Sequence, residues 1–202
     1  MNEKNEDRRI RKTKKALRES LIILMAEKNI RDISVQELSD LADLNRATFY
    51  LHYKDIYELQ QQIEDEVVVE INTILDRHMP TILNRHMPTV SGQKHHPLFV
   101  ALLSYIEENA RLCNMLFSEN SNRSFLDKLC TIIEERCLRS WLEDSRLSKT
   151  EEELSYFTSY VVYGYVAAIA KWVRTGMQSP PEKLAEMMSN MGLYGIGFLE
   201  KL

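Results

Sequence analysis

The stretch S34-V-Q-E-L-S-D-L-A-D-L-N-R-A-T-F-Y-L-H-Y53 reads as two short helices joined by a tight turn. Ser34 can cap the first helix, and Glu37, three positions on, completes a capping box. Val35, Leu38, Leu41 and Ala42 then recur at helical spacing and predict one buried face. Asp43, Leu44 and Asn45 interrupt that period. Asp and Asn tolerate turn geometry, and Asn45 can cap a second helix. In the second helix Phe49 and Tyr53 point inward, Thr48, Leu51 and His52 point away, and Arg46, Ala47 and Tyr50 lie around the margins. Two helices so joined cannot enclose an active site, but the second fits a DNA major groove. A helix-turn-helix is therefore expected, with DNA binding as the leading function.

Charge supports this once its distribution is read. The net charge of −4 on 202 residues argues, taken alone, against a nucleic-acid binder. Residues 1–54, however, hold 12 Lys/Arg against 9 Asp/Glu, whereas residues 55–202 hold 14 against 21. The run Arg8, Arg9, Arg11, Lys12, Lys14, Lys15 and Arg18 contains no acid. A lone charge run is usually a solvated face. Here Ala16, Leu17, Ser20, Leu21, Leu24 and Met25 predict a helix starting near Ile10, which crowds the cations at its positive end. Each is then unfavourable by roughly 0.3–1 kcal/mol unless an anion such as a phosphate lies nearby.

Composition bounds the rest. An apolar content of 44% suffices for a core in one ordinary domain plus a small one. Cys113, Cys130 and Cys137 form no CxxC pair, so neither a disulfide framework nor a zinc finger is expected. The charged N-terminus lacks an apolar signal-peptide core, and the longest apolar stretch, 160–170, is too short to span a bilayer. These features together imply a cytoplasmic protein with no membrane association. Scarce glycine and the lack of alternating β-branched runs predict an all-α chain. Helices are expected from about Ile56 through Leu75, again near Leu98, over about 124–142 and 151–175, and from a Ser179-Pro180-Pro181-Glu182 start. The expected domains are 1–55, a three-helix DNA-binding unit with a basic arm, and 56–202, a larger helical ligand-binding and dimerisation domain. A shared helix joins them.

The chain resembles the TetR-type bacterial transcriptional regulators. The likeness is strongest over about residues 10–60, through T48-F-Y-L-H-Y-K54. It is weaker over Y163-G-Y-V-A-A-I-A-K-W172 and G176-M-Q-S-P-P-E182. The resemblance implies that Arg46, Thr48 and His52 approach bases or nearby phosphates, with Ala47 among the DNA-facing set. It implies that Tyr50 holds a phosphate through its hydroxyl. Ser34 and Gln36 would meet the DNA backbone from the preceding helix, Arg11 and Thr13 from the first, and Lys54 from the start of the connecting helix. Two positions depart from the family pattern: Asp43 replaces the usual Gly of the turn, and Ile56 replaces a common Lys. Bidentate contact to guanine makes Arg46 the leading residue for sequence readout.

Small residues Gly164 and Ala168 would let a partner helix approach, with Val161, Trp172, Leu184, Met188 and Met191 adding apolar contact. The alternative is the central helix of a monomeric bundle. The resemblance favours a homodimer on a palindromic operator in double-stranded DNA. Phe99, Leu103, Leu112, Phe117, Ile133 and Trp141 are candidate lining for a small-molecule effector pocket, although such a stripe is more often plain core.

T73-I-L-D-R-H-M-P80 is copied at once as T81-I-L-N-R-H-M-P88, differing only at Asp76/Asn84. A local duplication lengthening a connection explains it. His78, His86, His95 and His96 share this region, but no Cys or close carboxylate joins them and Pro80 and Pro88 break the helix that would align them, so no metal is expected. No cofactor is implied. A repressor released by an effector is the primary expectation, and a co-regulator acting through a protein partner is the alternative. An enzyme is disfavoured by the lack of a phosphate loop, nucleophile elbow or HExxH motif.

Overall fold

The computed structural model describes residues 3–83, 97–117, 123–143 and 149–194. Among them the chain is all-α, as expected, with no strand. The helices are α1 (Glu3–Glu27), α2 (Val35–Leu41), α3 (Arg46–Tyr50), α4 (Ile56–Leu83), α5 (Pro97–Glu108), α6 (Ala110–Leu116), α7 (Arg123–Leu142), α8 (Glu151–Arg174) and α9 (Pro181–Tyr194). A short 3-10 turn, Ile30–Asp32, links α1 to α2.

The chain divides into two compact units. One comprises Met1–Val68 with Arg111–Asn122, the other Val69–Ala110 with Arg123–Leu202. The division falls inside α4, so one continuous helix belongs to both. In the first unit, Leu17, Leu21, Leu38, Phe49, Leu59 and Ile63 are almost wholly buried. Their positions in α1, α2, α3 and α4 are those at which a 3.6-residue period returns to one side. In the second unit α8 packs on α7 and α9 on α5. Trp141 meets Phe157 at 5.2 Å between ring centroids. Phe99 meets Tyr165 at 4.7 Å.

The helix ends follow local chemistry. Thr150 accepts from the Glu153 N–H at 3.2 Å while the Glu153 carboxylate accepts from the Thr150 N–H at 3.0 Å, a complete capping box. That backbone bond, with the Lys149 ammonium, holds the Glu153 carboxyl below its usual range. At the far end of α8, Gly176 takes a φ of 79°. The Met177 N–H then reaches the Trp172 carbonyl and the Gly176 N–H the Val173 carbonyl, which satisfies two terminal acceptors.

Four expectations need correction. α1 starts at Glu3 and not near Ile10. The basic run from Arg8 therefore lies along the helix body and not at its positive end, and the dipole argument fails. Leu41 is exposed: the buried side of α2 runs from Leu38 through Ala42 to Ser39, and Leu41 lies beyond its edge. α4 continues through Pro80 to Leu83, because proline's fixed φ is itself helical and only one backbone donor is lost. α9 starts one residue later than expected, with the Pro180 carbonyl accepting the first bonds, from Lys183 and Leu184. Ser179 instead gives its carbonyl to the Trp172 indole at 2.8 Å. Asn84, His86, Pro88, His95 and His96 lie outside the described residues.

Candidate nucleic-acid interface

The helix-turn-helix is built by caps at both of its internal ends. Ser34 Oγ accepts from the Glu37 N–H at 3.1 Å, as the sequence implies. The reciprocal half of that box does not form. The Glu37 carboxylate lies 2.5 and 2.6 Å from Lys28 Nζ, and a charge-assisted bond outcompetes a neutral N–H. α2 ends in a Schellman motif. The Leu44 N–H reaches the Ser39 carbonyl and the Asp43 N–H the Asp40 carbonyl, with Asp43 at a φ of 54°. The residue at that position must be left-handed, which glycine does without strain and Asp tolerates. Asn45 Oδ1 then accepts from the Ala47 N–H at 2.8 Å and opens α3.

Phe49 and Tyr53 anchor α3. Both are buried, with ring centroids 5.7 Å apart. Burial, then Glu66 and Glu58, push the Tyr53 phenol above its ordinary pKa. The Lys14 ammonium lies 5.8 Å from the same ring, which ties α1 to the end of α3. With this side fixed, Arg46, Ala47 and Tyr50 are exposed, Thr48 and His52 half-buried, and Leu51 is 80% exposed. Arg46 and Tyr50 hold each other: the guanidinium donates to the Tyr50 hydroxyl at 3.1 Å and its carbon lies 5.5 Å from the ring centroid.

The other candidates surround this helix with varied surroundings. Ser34 and Gln36 are exposed on α2, with the Gln36 amide donating to Asp40 at 2.7 Å. Arg11 is exposed on α1, whereas Thr13 is buried at 9% exposure. Thr13 lines an open cleft with Arg8, Arg9, Lys12, Ala16 and Leu44, where α1 meets the turn of the helix-turn-helix. Arg8, Arg9 and Lys12 were legible as a basic run but not as residues of that cleft. Lys54 is exposed, and its backbone N–H donates to Glu58 at 2.6 Å, while Asp55 caps the Glu58 N–H at 2.8 Å. Two carboxylates thus occupy the start of α4. Ile56 is buried, so this chain has a core residue where the resembled family commonly has a cation.

In the second unit, Trp172, Leu184 and Met188 are buried within the single chain. Val161, Ala168 and Met191 are half-buried. Gly164 is exposed, and a methyl group on its Cα would meet nothing within 4 Å. Of the effector candidates, Phe99, Leu103, Ile133 and Trp141 fall in the second unit, and Leu112 and Phe117 in the first. Leu103 and Leu112 are buried and the other four half-buried. No cluster of three metal-ligating side chains occurs among the described residues, and no described helix is long and apolar enough to cross a membrane.

These features define an all-α protein with an N-terminal helix-turn-helix. Residues 93–193, half of the chain, match the family model described as a transcriptional regulator C-terminal region of TetR type. The chain belongs to the TetR family of transcriptional regulators. A search of curated proteins gave no match. Among solved structures, a TetR transcriptional regulator from Streptococcus agalactiae superposes with a TM-score of 0.61 at 20% identity, covering 94% of this chain and 98% of that one. The dihydroxyacetone kinase operon activator DhaS gives 0.57 at 20% identity, covering 94% and 95%. NalD, the secondary repressor of the MexAB-OprM multidrug efflux pump in Pseudomonas aeruginosa, gives 0.63 at 15%, covering 88% and 92%. At such identities the likeness is one of fold.

Proposed function

We propose that this regulator binds a palindromic DNA operator as a homodimer and represses transcription until a small-molecule effector releases it. The observation that carries the DNA-binding reading is α3, anchored through Phe49 and Tyr53 and presenting its opposite side to solvent beside the cations of α1. Arg46, Ala47, Thr48 and His52 would meet the groove. Tyr50, Lys54, Ser34, Gln36 and Arg11 would meet the backbone, and Thr13 would line the adjoining cleft.

Dimerisation is supported by α8. Tyr156, Tyr160, Tyr163, Gly164 and Ala167 lie along one side of α8, and all five are exposed, with Tyr156 at 72% and Tyr160 at 75%. A continuous aromatic stripe of this kind on one helix is characteristic of an interaction surface. Its proposed occupant is the same stripe on a second copy, in a twofold arrangement. Effector control would act through α4, which runs unbroken from one compact unit into the other. A ligand changes operator affinity only by binding the two states unequally.

Titration of a random-sequence duplex at about 50 and about 200 mM salt tests the DNA-binding core of this reading. A dimer touching six or more phosphates should lose roughly a thousandfold in affinity across that range. Absence of a salt slope would favour the protein-dependent co-regulator.

A further inference from the structure

We infer that Leu51, together with Ala47 and Thr48, reads the 5-methyl group of thymine in the operator half-site, an inference that rests on the DNA-binding reading above. At about 100° per residue, the direction opposite the buried Phe49 and Tyr53 is that of Leu51. Ala47 and Thr48 flank it, about 40° and 60° away. Leu51 is the cap that follows α3 and keeps helical backbone angles, so the outermost ridge of α3 and its cap is lined with methyl groups. Leu51, at 80%, has the largest exposure of any large apolar side chain described.

Arg46 lies elsewhere. It is about 140° from Leu51 around the helix and about 40° from Tyr50, whose hydroxyl and ring hold it. The guanidinium is thus drawn toward the flank of α3, where it would meet the edge of the groove, and away from the ridge that would enter deepest. A major groove offers one apolar feature, the thymine methyl, and small aliphatic side chains are its usual partners.

An apolar ridge could in principle receive a protein, but its surroundings select a polyanion. Arg8, Arg9 and Lys12 line the cleft beside the turn, and Arg46 and Lys54 are exposed on either side of Leu51 in sequence. A duplex groove is the surface that pairs an apolar floor contact with phosphate walls.

The test uses duplexes enriched from a random pool by the full-length protein. Each thymine of a half-site is replaced in turn by deoxyuridine, which removes only the methyl group. The wild-type protein should lose about fourfold in affinity at one or two positions, the loss corresponding to one buried methyl group. Leu51→Ala should bind the unmodified duplex correspondingly more weakly and be indifferent to deoxyuridine at one of those positions. Its thermal unfolding should match the wild type, since the side chain is exposed. An enriched sequence whose binding is unaffected by every replacement overturns the inference alone, as does a Leu51→Ala protein that keeps the wild-type sensitivity at every position. A pool yielding no enriched sequence overturns the DNA-binding reading and this inference with it.

Discussion

Asp43 shows how one residue can bear a conformational demand set by its neighbours. The Schellman motif that ends α2 needs a left-handed residue, and Asp43 supplies it at a φ of 54°. Asp43→Gly should raise stability by about 0.5–1 kcal/mol and Asp43→Val should lower it by at least as much, measured by urea unfolding. The sequence marked this position through its departure from the family's Gly. It did not reveal the fate of Glu37, because the competing Lys28 lies nine positions away and is brought close only by folding. The pairing of Arg46 with Tyr50 was equally hidden, although the two are a helical turn apart. Both are exposed, and nothing in the pattern distinguishes solvation from mutual contact. Arg46→Ala and Tyr50→Phe should each weaken DNA binding, and their combined effect should fall short of the sum, because either change removes the same contact.

At the scale of elements, periodicity located the helices well and their ends less well. Of the apolar side that spacing predicts for α4, Leu59, Ile63, Val67, Ile71 and Leu75 are buried and Ile74 is half-buried. The start of α1 and the passage of α4 through Pro80 are not legible in the sequence, because a polar first turn and a tolerated proline carry no apolar signal. Burial also governs the thiols of α6 and α7. It raises Cys113 from 9.0 to about 12 and Cys130 and Cys137 to about 11. In the unfolded chain these thiols ionise near 9, so their contribution to stability is intact below that pH and is lost as pH rises through 11 to 12. Urea midpoints should therefore fall between about pH 9 and 11, and less so in a variant with all three cysteines replaced by alanine. Thiol labelling at about pH 8 should be slow in the folded protein and fast in denaturant.

At the scale of the whole molecule, the proposed division of labour between the two units rests on their surfaces. Methyl groups and cations crowd the helix-turn-helix, and aromatic rings line α8. The sequence pointed to pairing through small residues and Trp172, Leu184 and Met188, yet those three side chains are buried in the chain's own interior. A helical period cannot tell which of two apolar sides meets the protomer and which meets a partner. Replacing Tyr156 and Tyr160 together by lysine should leave the helical content unchanged and convert a sedimenting dimer into a monomer. An unchanged dimer would place the interface elsewhere. The most direct test of the central proposal is enrichment of bound duplexes from a random DNA pool by the purified protein at two salt concentrations. The expected result is a palindrome whose half-sites lie about one helical turn apart, roughly 34–36 Å or slightly more. Recovery of no common sequence at either salt would contradict it.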